Sequence, residues 1–273
     1  MASPLRLTPV KLEALPQSSS EPSYQSYVDA AVSAALDLVT SLPSPTSPTS
    51  DRWAAGKTFQ TGGPAPVHTY STRSAAQPPP GSGETEGLRW HARKSVHRGE
   101  SAPSYEAFER GLLRDHSVNE AKYIESCTEA RKIKVINEGE LEGAFLLLLF
   151  AKVFADVAYH QAFPASNRDF TFLLLTTPLP PRPSASDSAR TLRSFMVISL
   201  PVEHPAEKGY VRGRYVSVEH VQKLDEAEGG GIEWVMAVSS SAGGMVPRII
   251  SEKVMPSKIS EDVPSFIEWV RKQ

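Results

Sequence analysis

The sequence predicts an α+β fold, with helices set apart from a run of antiparallel strands, on three observations. Residues 21–42 repeat apolar side chains at steps of three and four. From residue 87 onward, short segments alternate apolar and polar residues or run apolar for several positions, with turn-forming residues between them. After residue 260 the chain closes on a second helical pattern.

Tyr24, Val28, Ala31, Ala35, Leu38 and Leu42 share one face of a 3.6-residue period, which reads as an amphipathic helix. "PSPTSPTS" ends it, because proline lacks an N–H and clashes with the preceding turn. Residues 43–86 are mostly Pro, Ser, Thr and Gly and read as a linker, with "KTFQ" and "APVHTYS" as short extended pieces. In 87–97, Leu88, Trp90 and Ala92 fall on one strand face and Arg89, His91 and Arg93 on the other. Ser104 is placed to cap a helix bearing Tyr105, Phe108 and Leu112. Ser117 with Glu120 reads as a capping box that opens the next helix. Strand-like segments follow: "RKIKVIN", "GAFLLLLFA", "RDFTFLLLTT", "RSFMVISLPV", "GYVRGRYVSVEHV" and "GIEWVMAVSS". "PLPPRPSASDSART" reads as a long polar loop and "EAEGGG" as a flexible turn. Last, Val263, Phe266, Ile267 and Val270 form a helical stripe that opens on Glu261 and Asp262 and closes on Arg271 and Lys272, an order that complements the helix dipole. The expected division is 1–42 as an N-terminal segment with a helix, 43–86 as linker and 87–273 as the folded domain.

Composition narrows the function classes. A net charge of −2 leaves no global basic field for nucleic acid or anionic lipid. The one cysteine, Cys127, excludes an internal disulfide framework and any multi-cysteine metal site. "MASPLRLTPVKLEALP" has no continuous apolar core, so a secretory leader is not expected and a cytoplasmic location is. The greasiest stretch, residues 139–158, is too short and too charged for a membrane span. A span needs roughly 20 apolar residues, and Glu142, Lys152 and Asp156 interrupt this one. It reads as a buried strand or short helix.

No phosphate loop, dinucleotide fingerprint, nucleophile elbow or HExxH motif is present in the sequence. Ser239 to Gly244 reads as a strand-to-turn transition feeding a helix, not as a nucleophile site, and Cys127 as an inert thiol. His91 and His97 share a strand face with no cysteine or carboxylate cluster beside them, so no metal is expected, and no cofactor either. His116, His160, His204 and His220 stand singly near element ends. The basic stretches "RWHARKSVHR" and "VRGRYV" read as strand faces paired with carboxylates or water. Arg212 and Arg214 are expected on one face of their strand. Arg168 and Asp169, adjacent and therefore on opposite sheet faces, read as members of structural ion pairs.

Taken in order, "SNRDF", "GYVRGRYVSVEHV" and "IEWVMAVSSSAGGMVPRII" resemble the START-like, helix-grip superfamily of lipid-transfer proteins. There an Arg-Asp-Phe strand start recurs, as does an Asp-x-Gly-Gly-x-Ile-Pro turn before the last helix. Ser241 replaces the usual acid, while Gly243, Gly244 and Pro247 remain. "RWHARKSVH", "SYEAFERGLLRDHSVNEAKYI" and "FPASNRDF" are more closely similar to a mostly fungal START-like family, DUF3074. The resemblance implies an antiparallel sheet wrapped on a C-terminal helix with an apolar cavity between them. It also implies non-catalytic binding or transfer of a lipid or other hydrophobic small molecule. Two departures stand out. The segment from Gly143 to Pro164 is more apolar and less patterned than the family implies, and the last helix ends early, at Gln273.

On this reading the ligand-binding candidates are Trp90, Arg93, Arg214, Tyr215, Trp234 and Met236, with core filling as the alternative for each. The expected partner is a hydrophobic small molecule or lipid, with no nucleic acid and at most transient membrane contact. An alternative is an enzyme on the same fold, a cyclase or hydrolase of a hydrophobic natural product with an acid–base pair drawn from His91, His160, Glu219 and Glu233. Another is an adaptor that uses its linker to recruit partners.

Overall fold

A computed structural model describes residues 4–44, 46–47, 50–60, 65–75, 89–138, 143–151, 167–244, 246 and 248–273, with 137–151 and 248 described by their backbone. The helices are α1 (Pro22–Thr40), α2 (Tyr105–Phe108, continued by a π-turn over Glu109–Leu113), α3 (His116–Tyr123) and α4 (Arg248–Val270). The strands are β1 (Trp53–Phe59), β2 (Val67–Thr72), β3 (His91–His97), β4 (Cys127–Glu138), β5 (Gly143–Ala151), β6 (Arg168–Pro183), β7 (Thr191–Pro201), β8 (Val211–Arg212), β9 (Arg214–Lys223) and β10 (Ile232–Ser241). They form one sheet in the order β1-β2-β3-β10-β9-β7-β6-β5-β4, and every neighbouring pair along it is antiparallel. The two-residue β8 runs parallel to the start of β6.

Alternation along each strand divides the buried side chains between two faces. On the outer face Ala92, Leu173, Leu175, Met196, Ile198, Val216, Val218, Val235 and Ala237 pack with Ala31, Ala35 and Leu38 of α1. On the inner face Phe170, Phe172, Phe195, Val221, Ile232 and Trp234 pack with Phe108 and Leu112 after β3, and with Val263 and Phe266 of α4. The sheet thus carries one helix on its back and grips the last helix in front. This is the helix-grip arrangement that the sequence resemblance implies, and its content is α+β.

Several elements differ from their sequence reading, each for an identifiable reason. Within the segment read as linker, the two pieces read as extended belong to β1 and β2, which are full strands that extend the sheet beyond β3. In β2, Val67, Thr69, Tyr70 and Thr72 are buried, and in β1 the buried Trp53 donates from Nε1 to Ser41 Oγ at 2.9 Å. Burial of these side chains outweighs the loop composition around them. The polar loop after Thr177 is largely strand, with β6 running on to Pro183 and β7 starting at Thr191. Its turn is tied down by buried Asp225, which accepts from Ser184 Oγ at 2.6 Å and Ala185 N at 2.7 Å. That carboxylate also caps the 3-10 turn Glu226–Glu228 in a capping box, so the predicted flexible turn is a built one.

Ser104 caps α2 as its spacing predicts, accepting from Ala107 N. Ser117 does not cap α3. That helix opens at His116 behind Asp115, which adopts a left-handed backbone, and Glu120 turns to His116 instead of back to a cap. Arg212 and Arg214 belong to different strands separated by Gly213, where a Cβ would collide with the Phe170 ring. The last helix starts at Arg248, not near Glu261, and carries Pro256 and Pro264 within it. The carbonyl of Pro256 accepts from Ser260 Oγ at 2.7 Å, and the buried stripe Ile259, Val263 and Phe266 holds the helix to the sheet despite the prolines. The greasy stretch forms β5 between β4 and β6 over 143–151; its remainder to residue 158 lies outside the described residues. Among the described residues no helix is long and apolar enough to cross a membrane.

Candidate functional site

The inner face of the sheet beneath α4 is where the sequence-derived candidates meet. In β3, His91, Arg93, Ser95 and His97 point the same way by period two, and all four are buried. The register places Met236 opposite both Arg93 and Glu219, so these three share a face, and Trp234 follows two residues from Met236 on it. Tyr215 lies on the same face of β9 and packs its ring against Phe172 at 4.9 Å and Phe170 at 5.5 Å. Arg93, Tyr215, Trp234 and Met236 are therefore gathered on the inward surface. Trp90 lies on the outer face in the cluster that includes α1, and Arg214 is exposed beside a groove of about 420 Å³ lined by Pro9, Leu12, Glu203 and Arg212.

At the centre is a group of buried charges. The Arg93 guanidinium lies 3.9 Å above the Trp234 ring and 3.7 Å from a Glu219 oxygen. Trp234 Nε1 donates to the same Glu219 at 2.7 Å. The other Glu219 oxygen is 3.4 Å from His116 Nε2, which is also 3.4 Å from Glu120. His116 Nδ1 sits 2.9 Å from the Leu112 carbonyl and must donate to it, so the proton between the two carboxylates belongs to Nε2 and the ring is an imidazolium. Burial alone would lower its pKa; the two carboxylates and the carbonyl outweigh burial and raise it to about 9. His116, Glu120 and Glu219 present their ligand atoms within 4.8 Å of one another, a geometry open to a metal ion. The imidazolium and Arg93 already supply the positive charge that a cation would bring there. Sequence reading did not single out His116, Glu120 or Asp262 as site residues. A helical i, i+4 His–Glu pair was the one available signal.

The other titratable residues fall into place around this group. His97 Nε2 lies 3.0 Å from Ser95 Oγ, and burial followed by the Arg93 charge lowers its pKa to about 4, so it is neutral. His91 Nδ1 lies 2.9 Å from Ser71 Oγ, Glu233 pairs with Lys94 at 2.9 Å, and His160 lies outside the described residues. Cys127 is buried and its thiol is pushed up to about 12, which suits an inert residue. Asp169, fully buried, receives Arg212 Nη2 at 2.7 Å, Arg212 Nε at 3.0 Å and Glu207 N at 2.8 Å. The acid of the Arg-Asp-Phe strand start therefore serves structure, with Asp169 pinning β8 to β6.

Beneath α4 several inward-facing side chains keep uncovered surface. Tyr123, Tyr215, Met236 and Asp262 lie on inward-facing surfaces beneath α4, yet each remains only half-buried. Burial nevertheless drives both phenols well above their usual pKa, and the Asp262 carboxyl up to about 8. These groups thus combine a desolvated polar end with surface that no protein atom covers. Aromatic rings surround them, with Trp234 and Phe266 5.1 Å apart and Tyr123 meeting Phe266 edge-on at 5.5 Å and Trp269 tilted at 5.4 Å.

The model of the family described as protein of unknown function (DUF3074) matches residues 90–270. The chain belongs to the DUF3074 family. The fission yeast Schizosaccharomyces pombe has a relative, described as uncharacterized protein C577.11, that is 25% identical over 192 residues, or 68% of this chain and 70% of that one. Among solved structures, this DUF3074 protein is similar to human StAR-related lipid transfer protein 5, with a TM-score of 0.59 and 14% identity over 91% of this chain and 99% of that one. It is also similar to a STAR-related lipid transfer protein fragment from Xanthomonas axonopodis, with a TM-score of 0.51 and 15% identity over 81% and 99%. Human STARD10 gives a TM-score of 0.51 and 12% identity over 88% and 82%. At these identities the likeness establishes the fold. The match begins at Trp90, so β1 and β2 lie outside the family model although they pair into the same sheet.

Proposed function

We propose that this DUF3074 protein binds a lipid or other hydrophobic small molecule between the inner face of the sheet and α4, and carries it without covalent chemistry. The observation that supports this reading is the half-buried inward set Tyr123, Tyr215, Met236 and Asp262. A core evolved only for stability packs such side chains closed, because each uncovered apolar ångström forfeits roughly 25 cal/mol per Å². The names of the solved neighbours, lipid transfer proteins, point to the same class of cargo. Arg93, Tyr215, Trp234 and Met236 are the residues proposed to touch it. Membrane contact in this reading is brief, made when cargo is loaded or released.

The test is native mass spectrometry of the full chain after mild purification, followed by transfer of labelled lipid between vesicles. A co-purifying hydrophobic molecule released on denaturation is the expected result. A protein that carries none, and takes up none from mixed-lipid vesicles, overturns the proposal.

A further inference from the structure

Asp262 is out of place for a residue of a greasy helix face. It lies three residues after buried Ile259 and four before buried Phe266, hence on the stripe of α4 that faces the sheet. It sits in the interior of the 23-residue helix, where neither the N-terminal dipole nor a cap explains an acid. Among the described residues its carboxyl has no hydrogen-bond partner, and part of its surface is uncovered. The charged groups that act on it are Arg93 and Glu219 from the sheet, Glu120 from α3 and Glu261 from its own helix. Asp262 in turn acts on the Tyr123 hydroxyl.

Those surroundings are already balanced in charge. Arg93 and the His116 imidazolium offset Glu120 and Glu219, all four in one contact network. A third carboxylate-like charge placed there would find, among the described residues, no cation that is not already offset, and would carry a desolvation cost. Burial, which outweighs the pull of Arg93, keeps the Asp262 carboxyl protonated at neutral pH, so it offers an O–H. Arg93 Nε and Nη1, buried and without an acceptor, are two further donors of the same group. The site is thus rich in donors and intolerant of added negative charge.

We propose that the molecule held on the inner face presents an uncharged oxygen (a hydroxyl, ketone or ester carbonyl) to the carboxyl of Asp262, and that the site refuses an anionic head of the same chain length. This rests on the lipid-binding reading above and names the chemical class of its ligand. An uncharged oxygen accepts the Asp262 O–H without adding charge, and a hydroxyl can also donate onward. A carboxylate or phosphate could reach the Arg93 donors only by adding a third negative charge to a group whose cations are already offset, or would have to take up a proton itself.

The experiment measures displacement of a bound fluorescent apolar probe from the full chain at pH 7 by hexadecane, hexadecanol, methyl hexadecanoate and hexadecanoic acid. Hexadecanol and the methyl ester are expected to compete at least about tenfold more strongly than the acid, one good hydrogen bond corresponding to about a tenfold change. Asp262→Asn, which keeps an uncharged donor, should retain that preference. Asp262→Leu, which removes an isolated buried acid, should bind hexadecanol no better than hexadecane. Raising the pH from 7 to 9.5 should weaken hexadecanol more in the wild type than in Asp262→Asn, because His116 titrates in both proteins and Asp262 only in the first. Should the acid compete as strongly as the alcohol, or Asp262→Leu keep the preference for hexadecanol, the assignment of class fails while the lipid-binding reading stands. If none of the four displaces the probe, or the probe itself does not bind, both fail.

Discussion

Replacing Glu219 by Gln tests whether the buried charges form one network. Glu219 is 4% exposed and joins three groups: Trp234 Nε1 at 2.7 Å, His116 Nε2 at 3.4 Å and Arg93 Nη2 at 3.7 Å. The amide keeps the shape and an acceptor for Trp234 but removes the charge. His116 then keeps only Glu120, and Arg93 loses the carboxylate it contacts. Breaking a buried ion pair costs roughly 3–5 kcal/mol, and the low end applies here because His116 can shed its proton. About 3 kcal/mol corresponds to a fall in Tm of roughly 6–12 °C for a chain of this size. Guanidinium unfolding followed by tryptophan fluorescence reads it, since Trp234 sits beneath the Arg93 guanidinium. Adding Arg93→Met to Glu219→Gln should return at least about 1 kcal/mol, because the stranded cation is gone. A single variant within about 0.5 kcal/mol of wild type, with a strictly additive double variant, would refute the reasoning.

Two further outcomes follow from the same geometry. His116 has its pKa raised to about 9 from the ordinary 6.5, so its contribution is full below pH 6.5 and is lost as the pH rises through 9. That loss should total about 3 kcal/mol in wild type and be absent from the His116→Gln variant, as urea midpoints at pH 6, 8 and 10 will report. Asp262, raised in the same sense, loses its contribution between its ordinary 3.8 and about 8, and remains in both proteins, so the difference between the two curves isolates the imidazole. Asp169→Ala should cost about 3–5 kcal/mol, because Arg212 and the Glu207 amide lose their buried acceptor, and the urea midpoint should fall with the slope unchanged.

Much of the architecture was legible because it is written in local periodicity. The helical stripe of α1, the alternation of β3, β9 and β10 and the apolar seam of α4 all follow from side chains meeting neighbours three, four or two residues away. Alternation also determines that Trp90 and Arg93 point to opposite faces. It cannot say which face is inside, because both sides of this sheet are covered, the outer by α1 and the inner by α4. That choice puts Arg93, Tyr215, Trp234 and Met236 inward, Trp90 outward and Arg214 at the surface.

The rest was decided by contacts between residues far apart in the chain. Glu219 meets His116 and Arg93 through strand order and helix packing, with no spacing in the sequence to announce it. Asp262 shows the difference most clearly. In the sequence it reads as an acid at a helix start, where the dipole welcomes it; in the fold, α4 begins at Arg248 and the same residue faces the interior. Pro256 argues locally against the longer helix, and the buried stripe along α4 overrides it. By itself, then, the sequence determined most of the elements after residue 87, the periodicity of their faces and the family motifs. Tertiary structure alone decided which face is enclosed and which charges share it, because burial and electrostatic balance depend on distances that chain order does not contain.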